Sequence, residues 1–174
     1  EVTERSSGSI QVTAGYSEDS GVTFGASLQQ DNFLGSGNHF GFSVNTSQSN
    51  QVYSMDFTDP YFTDDGVSLG YNFFFRETDT DDLSVSDYTT DSYGGGISIG
   101  FPIMEDERIF FGLGYENLTL KASDSTPDRI MDFIDLNGNE YNLYRLSLGW
   151  SRDSRNRRYF ASDGSKQSVS GELT

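Results

Sequence analysis

The 174-residue chain contains no cysteine, one histidine and only three prolines. Without cysteine there are no disulfide staples, thiol nucleophiles or Cys-ligated zinc sites. A single histidine, His39, cannot build a His-rich metal site, and no cofactor is expected. Positive charge is also scarce: 11 Lys and Arg stand against 27 Asp and Glu, a net charge of −16. Nucleic-acid binders carry a basic footprint, so no nucleic-acid partner is expected. Long apolar runs are missing too. The longest are three residues, at Phe73–Phe75, Ile109–Phe111 and Tyr159–Ala161, whereas a membrane helix needs about 20. No signal-peptide pattern starts at Glu1, so any leader is expected to have been removed.

What is present is unusual. Only 34% of the residues are apolar, yet 14% are aromatic: 14 Phe, 10 Tyr and 1 Trp. Disordered chains are poor in aromatics. The chain also has 19 glycines and 25 serines. Aromatic, Gly and Ser enrichment with little proline suggests many β-strands that alternate large apolar with small polar residues. The length allows a single domain.

That alternation recurs along the chain. Gly8–Tyr16 sets Ile10, Val12, Ala14 and Tyr16 against Ser9, Gln11, Thr13 and Gly15. Gly21–Gln30 sets Val22, Phe24, Ala26 and Leu28 against Thr23, Gly25, Ser27 and Gln29. The same two-residue period runs through 38–46, 52–58, 67–76, 92–101, 108–120 and 141–153. A ninth strand is expected near Lys166, with Val169 and Leu173 on one face. Each strand therefore has one apolar and one polar face.

In a soluble sandwich the outward faces would carry charge. Here the polar faces are mostly Gly, Ser, Thr and Asn, and charge concentrates in the connections. A small polar face suits the lumen of a barrel, and an aromatic-rich face suits lipid. Strands of about ten residues with this dyad pattern are the signature of a transmembrane β-barrel. A soluble sandwich or lipocalin-like barrel is the alternative. The expected fold is all-β: a transmembrane antiparallel β-barrel fragment of eight full strands plus the start of a ninth. Bacterial single-chain barrels close with an even number of strands. The ninth is thus either a tail on a small eight-stranded barrel or part of a larger one, and a fragment is favoured. Phe74 and Phe110 break the pattern by falling on the polar face. They either fill the interior or mark a bulge that resets the register.

The connections carry turn chemistry. Asp31-Asn32-Phe33-Leu34-Gly35-Ser36-Gly37 contains two glycines, and Asp59-Pro60-Tyr61-Phe62 places proline ahead of two aromatics. Thr126-Pro127-Asp128 reads as a helix N-cap with proline at the first position. Ile130, Met131, Phe133 and Ile134 follow at helical spacing. Asn137-Gly138 reads as a tight turn into strand eight.

Taken in order, Val2–Ser9 (VTERSSGS), Asp31–Gly37 (DNFLGSG), Asp59–Phe62 (DPYF) with Asp65–Gly70 (DGVSLG), and Tyr159–Ser165 (YFASDGS) closely resemble the barrel domain of the BamA family. These are outer-membrane protein assembly factors of Gram-negative bacteria, in the bacterial surface antigen family. The resemblance covers essentially all 174 residues but only the N-terminal half of that family's sixteen-stranded barrel. One departure is Ala161, where the family often has proline. The family's periplasmic POTRA repeats, its remaining strands and its Arg-Gly-Phe loop have no counterpart here.

The resemblance implies residues 1–7 as a linker from a preceding POTRA domain and 8–174 as the first half of the barrel. It implies that turns 31–37, 59–66, 102–108 and 152–165 face the periplasm, with Asp31, Asn32, Gly35, Gly37, Asp59, Pro60, Tyr61, Phe62, Phe160 and Gly164 as family turn residues. Segments 17–20, 47–51, 77–91 and 121–140 would face outside. The implied function is assembly and insertion of outer-membrane β-barrels as the core of the BAM complex, by pairing client strands with the edge Gly8, Ser9, Ile10, Gln11, Val12, Thr13, Ala14, Gly15 and Tyr16. Implied partners are unfolded outer-membrane proteins, outer-membrane lipid and lipopolysaccharide, and BAM lipoproteins, the last mostly through POTRA domains. The alternatives are a passive outer-membrane pore or structural barrel and a related two-partner secretion transporter.

Catalytic readings are weak. His39 lies on the polar face with no Ser or Asp at triad spacing, and a hydrogen-bonded lumen histidine is expected. The acidic run Glu77, Asp79, Asp81, Asp82, Asp87 and Asp91 and the segment Asp135–Glu140 lack calcium-loop spacing. Arg152, Arg155, Arg157 and Arg158 crowd one turn and read as a solvated cluster. No enzyme is expected.

Overall fold

The computed structural model describes residues 8–18, 21–79, 88–122, 126–157 and 160–174. The expected linker 1–7 therefore lies outside the described residues, as do Asp81, Asp82, Asp87, Arg158 and Tyr159.

The alternating segments form nine strands: β1 (Gly8–Ser17), β2 (Gly21–Gln30), β3 (His39–Thr46), β4 (Asn50–Asp59), β5 (Ser68–Asp79), β6 (Tyr88–Met104), β7 (Glu107–Ala122), β8 (Glu140–Asp153) and β9 (Lys166–Leu173). One sheet contains them all, in chain order. Every neighbouring pair is antiparallel. Consecutive antiparallel strands need only short connections. The turns after β2, β4, β6 and β8 consequently share one end of the sheet. The loops after β1, β3, β5 and β7 share the other.

The register preserves the two faces across all nine strands. Gln11 faces Ser27, Ser27 faces Ser43, and Ser43 faces Ser54. Further along, Ser98 faces Gly112 and Gly112 faces Ser147. The opposite face runs from Val12 and Ala26 through Val44, Tyr53 and Phe75, and includes Leu113 and Leu146. Burial is inside out. No described hydrophobic residue is buried, while Ser92, Glu116 and Asn117 are. The small polar face is the enclosed one, and the aromatic face, including Phe24, Phe42, Phe73 and Leu148, is exposed.

The sheet does not close as eight strands. Within the sheet order β1 pairs only with β2, and β9 pairs only with β8. No helix among the described residues is long and apolar enough to cross a membrane.

Phe74 and Phe110 cause no register shift. The only irregularity in their ladders lies between Pro102 and Met104. Both rings stay on the enclosed face and stand against glycines of neighbouring strands: Phe74 faces Gly94, and Phe110 faces Gly100 and Gly149. An aromatic laid over a cross-strand glycine fills the space that residue leaves bare.

Several boundaries differ from expectation. Glu77 and Asp79 belong to β5 and Asp91 to β6, so these three members of the acidic run are strand. β6 and β7 extend past their apolar alternation because the backbone ladder continues through polar residues such as Thr89, Thr90 and Asp91. The turn expected over 102–108 narrows to Glu105 and Asp106. The helix α1 spans Asp128–Asn137, with Pro127 rather than Thr126 at its N-cap. Asn137-Gly138 is not a hairpin turn. Asn137 ends α1, and Gly138, at φ 83°, donates its N–H to the Ile134 carbonyl. Glycine takes this left-handed geometry without a Cβ penalty.

Candidate functional site

The expected pairing edge is the whole of β1. Apart from Gln11 its side chains are small or apolar, and every residue of the strand is exposed. Ile10 and Val12 are 77% and 62% exposed on the aromatic face. The ladder from Gly8–Gln30 to Ser17–Gly21 has no bulge. Sheet edges are normally blunted by proline, a bulge, an inward charge or a covering element. Ser9–Tyr16 contain neither proline nor charge. Lys166 and Glu172 place charges on β9, the other edge.

The turn residues gather at one end, but not into one pocket. Asn32 Oδ1 accepts the Gly37 N–H at 2.7 Å, and Gly35 and Gly37 both have φ 78°. Asp59 Oδ1 accepts the Tyr61 N–H at 3.0 Å, just past Pro60. Tyr61 and Phe62 stay exposed. Phe160 is almost wholly exposed. A Cβ at Gly164 would strike the Ser154 carbonyl, so only glycine fits there. The start of β1 lies at this same end, since Gly8 pairs with Gln30 beside Asp31.

His39 is held between carboxylates. Its Nδ1 lies 2.9 Å from Asp31 Oδ1, and its Nε2 lies 3.2 Å from Asp56 Oδ2. A Cβ on Gly41 would collide with the Asp56 carboxylate, so the glycine makes room for this contact. Two of the four arginines have carboxylate partners among the described residues. Arg152 belongs to β8, and its Nε donates to Asp106 Oδ2 at 2.9 Å. Arg155 donates to both Asp153 oxygens, each at 2.7 Å. That bond, chiefly, raises the Arg155 pKa above its ordinary value.

Periodicity gave no sign of one inward cluster. Arg145 on β8 bonds the buried Glu116 of β7, and its Nε lies 3.9 Å from Glu172 of β9. These residues are distant in sequence, and only the register brings them together.

An enclosed polar face, an exposed aromatic face and a string of hairpins describe a membrane barrel wall. Residues 32–174 match the Omp85 superfamily domain. The chain belongs to the Omp85 superfamily.

This Omp85 chain is similar to the outer membrane protein assembly factor BamA of Neisseria meningitidis serogroup B (strain ATCC BAA-335 / MC58). The two are 34% identical over 182 residues, covering 99% of this chain and 23% of that protein. BamA of Buchnera aphidicola subsp. Acyrthosiphon pisum (strain APS) is 30% identical over 115 residues, covering 66% of this chain and 19% of that one. The crystal structure of BamA from Haemophilus ducreyi lacking POTRA domains 1–3 superposes with a TM-score of 0.69 at 32% identity. That match covers 98% of this chain and 34% of the solved one. The Omp85 chain thus spans about a quarter or less of the curated relatives it matches. It is an outer-membrane β-barrel wall segment.

Proposed function

We propose that this chain is the first half of the barrel in an outer-membrane β-barrel assembly and insertion factor, at the core of a BAM complex. In this reading residues 1–7 lead in from a POTRA domain. The turns after β2, β4, β6 and β8 face the periplasm, and the loops at the other end face outside. The clients are unfolded outer-membrane proteins. Outer-membrane lipid and lipopolysaccharide surround the wall, and BAM lipoproteins are reached mainly through the POTRA domains.

The observation that carries this reading is the make-up of β1, an unbroken ladder with β2 whose residues Ser9–Tyr16 carry neither proline nor charge. A strand cannot enter hydrocarbon with its backbone groups unpaired. An edge with open donors and acceptors relieves that cost for an incoming strand. Clients differ in side chains but share a backbone, so a sequence-tolerant template needs main-chain groups and unobtrusive side chains. β1 meets both needs.

Wall height adds support. β1 to β4 have 10, 10, 8 and 10 residues, whereas β6, β7 and β8 have 17, 16 and 14. A shorter wall beside the edge thins the adjoining bilayer, and mismatch costs fractions of a kcal/mol per Å. A thinned bilayer eases insertion at that point.

The test is client folding in liposomes carrying the full-length protein, with cysteines placed along β1 and along a client's terminal strand. Faster client folding together with register-specific β1–client crosslinks is the expected result. Ion conductance without accelerated folding favours the passive pore. Export of a single soluble partner favours the secretion transporter.

A further inference from the structure

We infer that the turn between β2 and β3, residues 32–38, is a membrane-interface anchor that seats Leu34 at the boundary of headgroups and acyl chains. Leu34 is one of two described non-glycine residues with positive φ, at 52°, and it is 87% exposed. A left-handed backbone is unfavourable for a side chain branched like leucine's, and such outliers mark positions held for a purpose. Here the strained residue presents an apolar side chain away from the protein.

Three observations identify membrane as what receives it. The first is continuity with the lipid-facing wall. Phe33, the preceding residue, packs on Phe40 with ring centroids 5.0 Å apart. Phe40 stands on the aromatic face, paired with Phe57. The turn is therefore laid against the lipid side of the rim, and Leu34 prolongs that apolar surface beyond the last strand residues.

The second observation is backbone satisfaction. The Phe33 N–H donates to the Asn38 carbonyl at 2.9 Å, and the Ser36 N–H to the Phe33 carbonyl at 3.0 Å. The Gly35 N–H reaches the Asn32 carbonyl at 3.2 Å. Asn32 Oδ1 takes the Gly37 N–H, and Ser36 Oγ takes the Asn38 N–H. These bonds pair five of the seven backbone N–H groups of residues 32–38 within the turn, which lowers the cost of moving it into a region of low water content.

The third observation is charge. Of the connecting residues 31–38 only Asp31, at the β2 end, is charged, and it lies 2.9 Å from His39 Nδ1. The other three turns at this end contain Asp64 and Asp65, Glu105 and Asp106, or Arg155 and Asp163. Among the described residues, the β2–β3 turn therefore has the fewest charges to desolvate at this end. The choice of leaflet rests on the orientation proposed above. Insertion itself does not.

The test uses the full-length protein, otherwise free of cysteine, in phosphatidylcholine–phosphatidylethanolamine vesicles. A solvatochromic dye is attached at Leu34→Cys or, for comparison, at Asp64→Cys in the acidic turn. The expected result is blue-shifted emission at position 34, strong quenching by nitroxide on lipid near the headgroup, and little quenching by aqueous iodide, with the reverse at position 64. Equal emission and equal iodide access at the two sites would overturn the inference. So would shielding from iodide without quenching by lipid nitroxide, since that means a protein surface covers the turn. Asparagine tolerates the left-handed region, so Leu34→Asn provides a second, label-free measurement that keeps the fold. Amide exchange over 33–38 in vesicles should be faster in Leu34→Asn than in the parent, and equal rates would also count against the anchor.

Discussion

Phe74 on β5 stands directly opposite Gly94 on β6, and its ring tip lies 3.0 Å from where a Cβ on Gly94 would be. That Cβ would also collide with the Tyr115 carbonyl of β7. Gly94 is thus hemmed in by an aromatic ring on one side and backbone on the other. At Gly100 the nearest obstacles are Ser68 Oγ at 2.5 Å and the Phe110 ring at 3.2 Å, both side-chain atoms that can move. Gly94→Ala should therefore destabilise the barrel by about 1–3 kcal/mol, the usual cost of overpacking, and Gly100→Ala by clearly less. Shortening Phe74 should not rescue Gly94→Ala, because the carbonyl remains. Urea unfolding of the intact barrel, followed by its heat-modifiable gel mobility, compares the variants.

The second expectation concerns the two faces. Leu148 stands on the exposed aromatic face, and Ser147 on the other face opposite Glu172. Arginine on the lipid face near mid-membrane costs roughly 2–4 kcal/mol. Leu148→Arg should lower stability by that order, whereas Ser147→Arg gains a carboxylate neighbour and should be tolerated. Equal losses in the two variants would mean the faces are assigned the wrong way round.

These two faces were legible in the sequence for a physical reason. A barrel wall meets two different media, so each strand must alternate along its membrane-spanning length. Beyond that length the pressure ends, and the first residues of β6 and the last of β7 carry no alternation that marks them as strand. Asn137-Gly138 is ambiguous in the sequence because the same pair can close a hairpin or end a helix, and the choice depends on what precedes it. The Arg145–Glu116 contact had no sequence signature at all. Cross-strand neighbours are set by register, and no spacing along the chain encodes them.

That contact yields a third expectation. The Glu116 side chain is buried, and Arg145 is its ion-pair partner. Arg145→Met should leave the carboxylate without its donor, at a cost of roughly 1–3 kcal/mol for an unsatisfied buried group. Adding Glu116→Gln removes the stranded charge and should recover part of the loss. Glu172→Gln should matter little, because Glu172 is more exposed and sits 3.9 Å from the guanidinium. A double-mutant cycle on unfolding free energies measures the coupling. A coupling near zero would show that the pair contributes nothing.

The last expectation tests the β1 edge where side chains and backbone can be told apart. Proline deletes one N–H and fixes φ, so it damages a template wherever the missing donor pointed at the incoming strand. In an antiparallel pair, alternate residues direct their N–H groups to the same side. Along Gln11, Val12, Thr13 and Ala14, half of the donors bond β2 and half point outward. Proline at an outward position should spare the β1–β2 ladder and abolish client insertion. At a position facing β2 it should instead weaken the barrel itself. Client assembly, scored at matched levels of folded full-length protein, should therefore alternate along the four positions. Alanine at Gln11 or Thr13 keeps the backbone donors and should be nearly silent. An alanine scan as damaging as the proline scan would move the working surface from backbone to side chains. Prolines tolerated at all four positions would remove β1 from the mechanism.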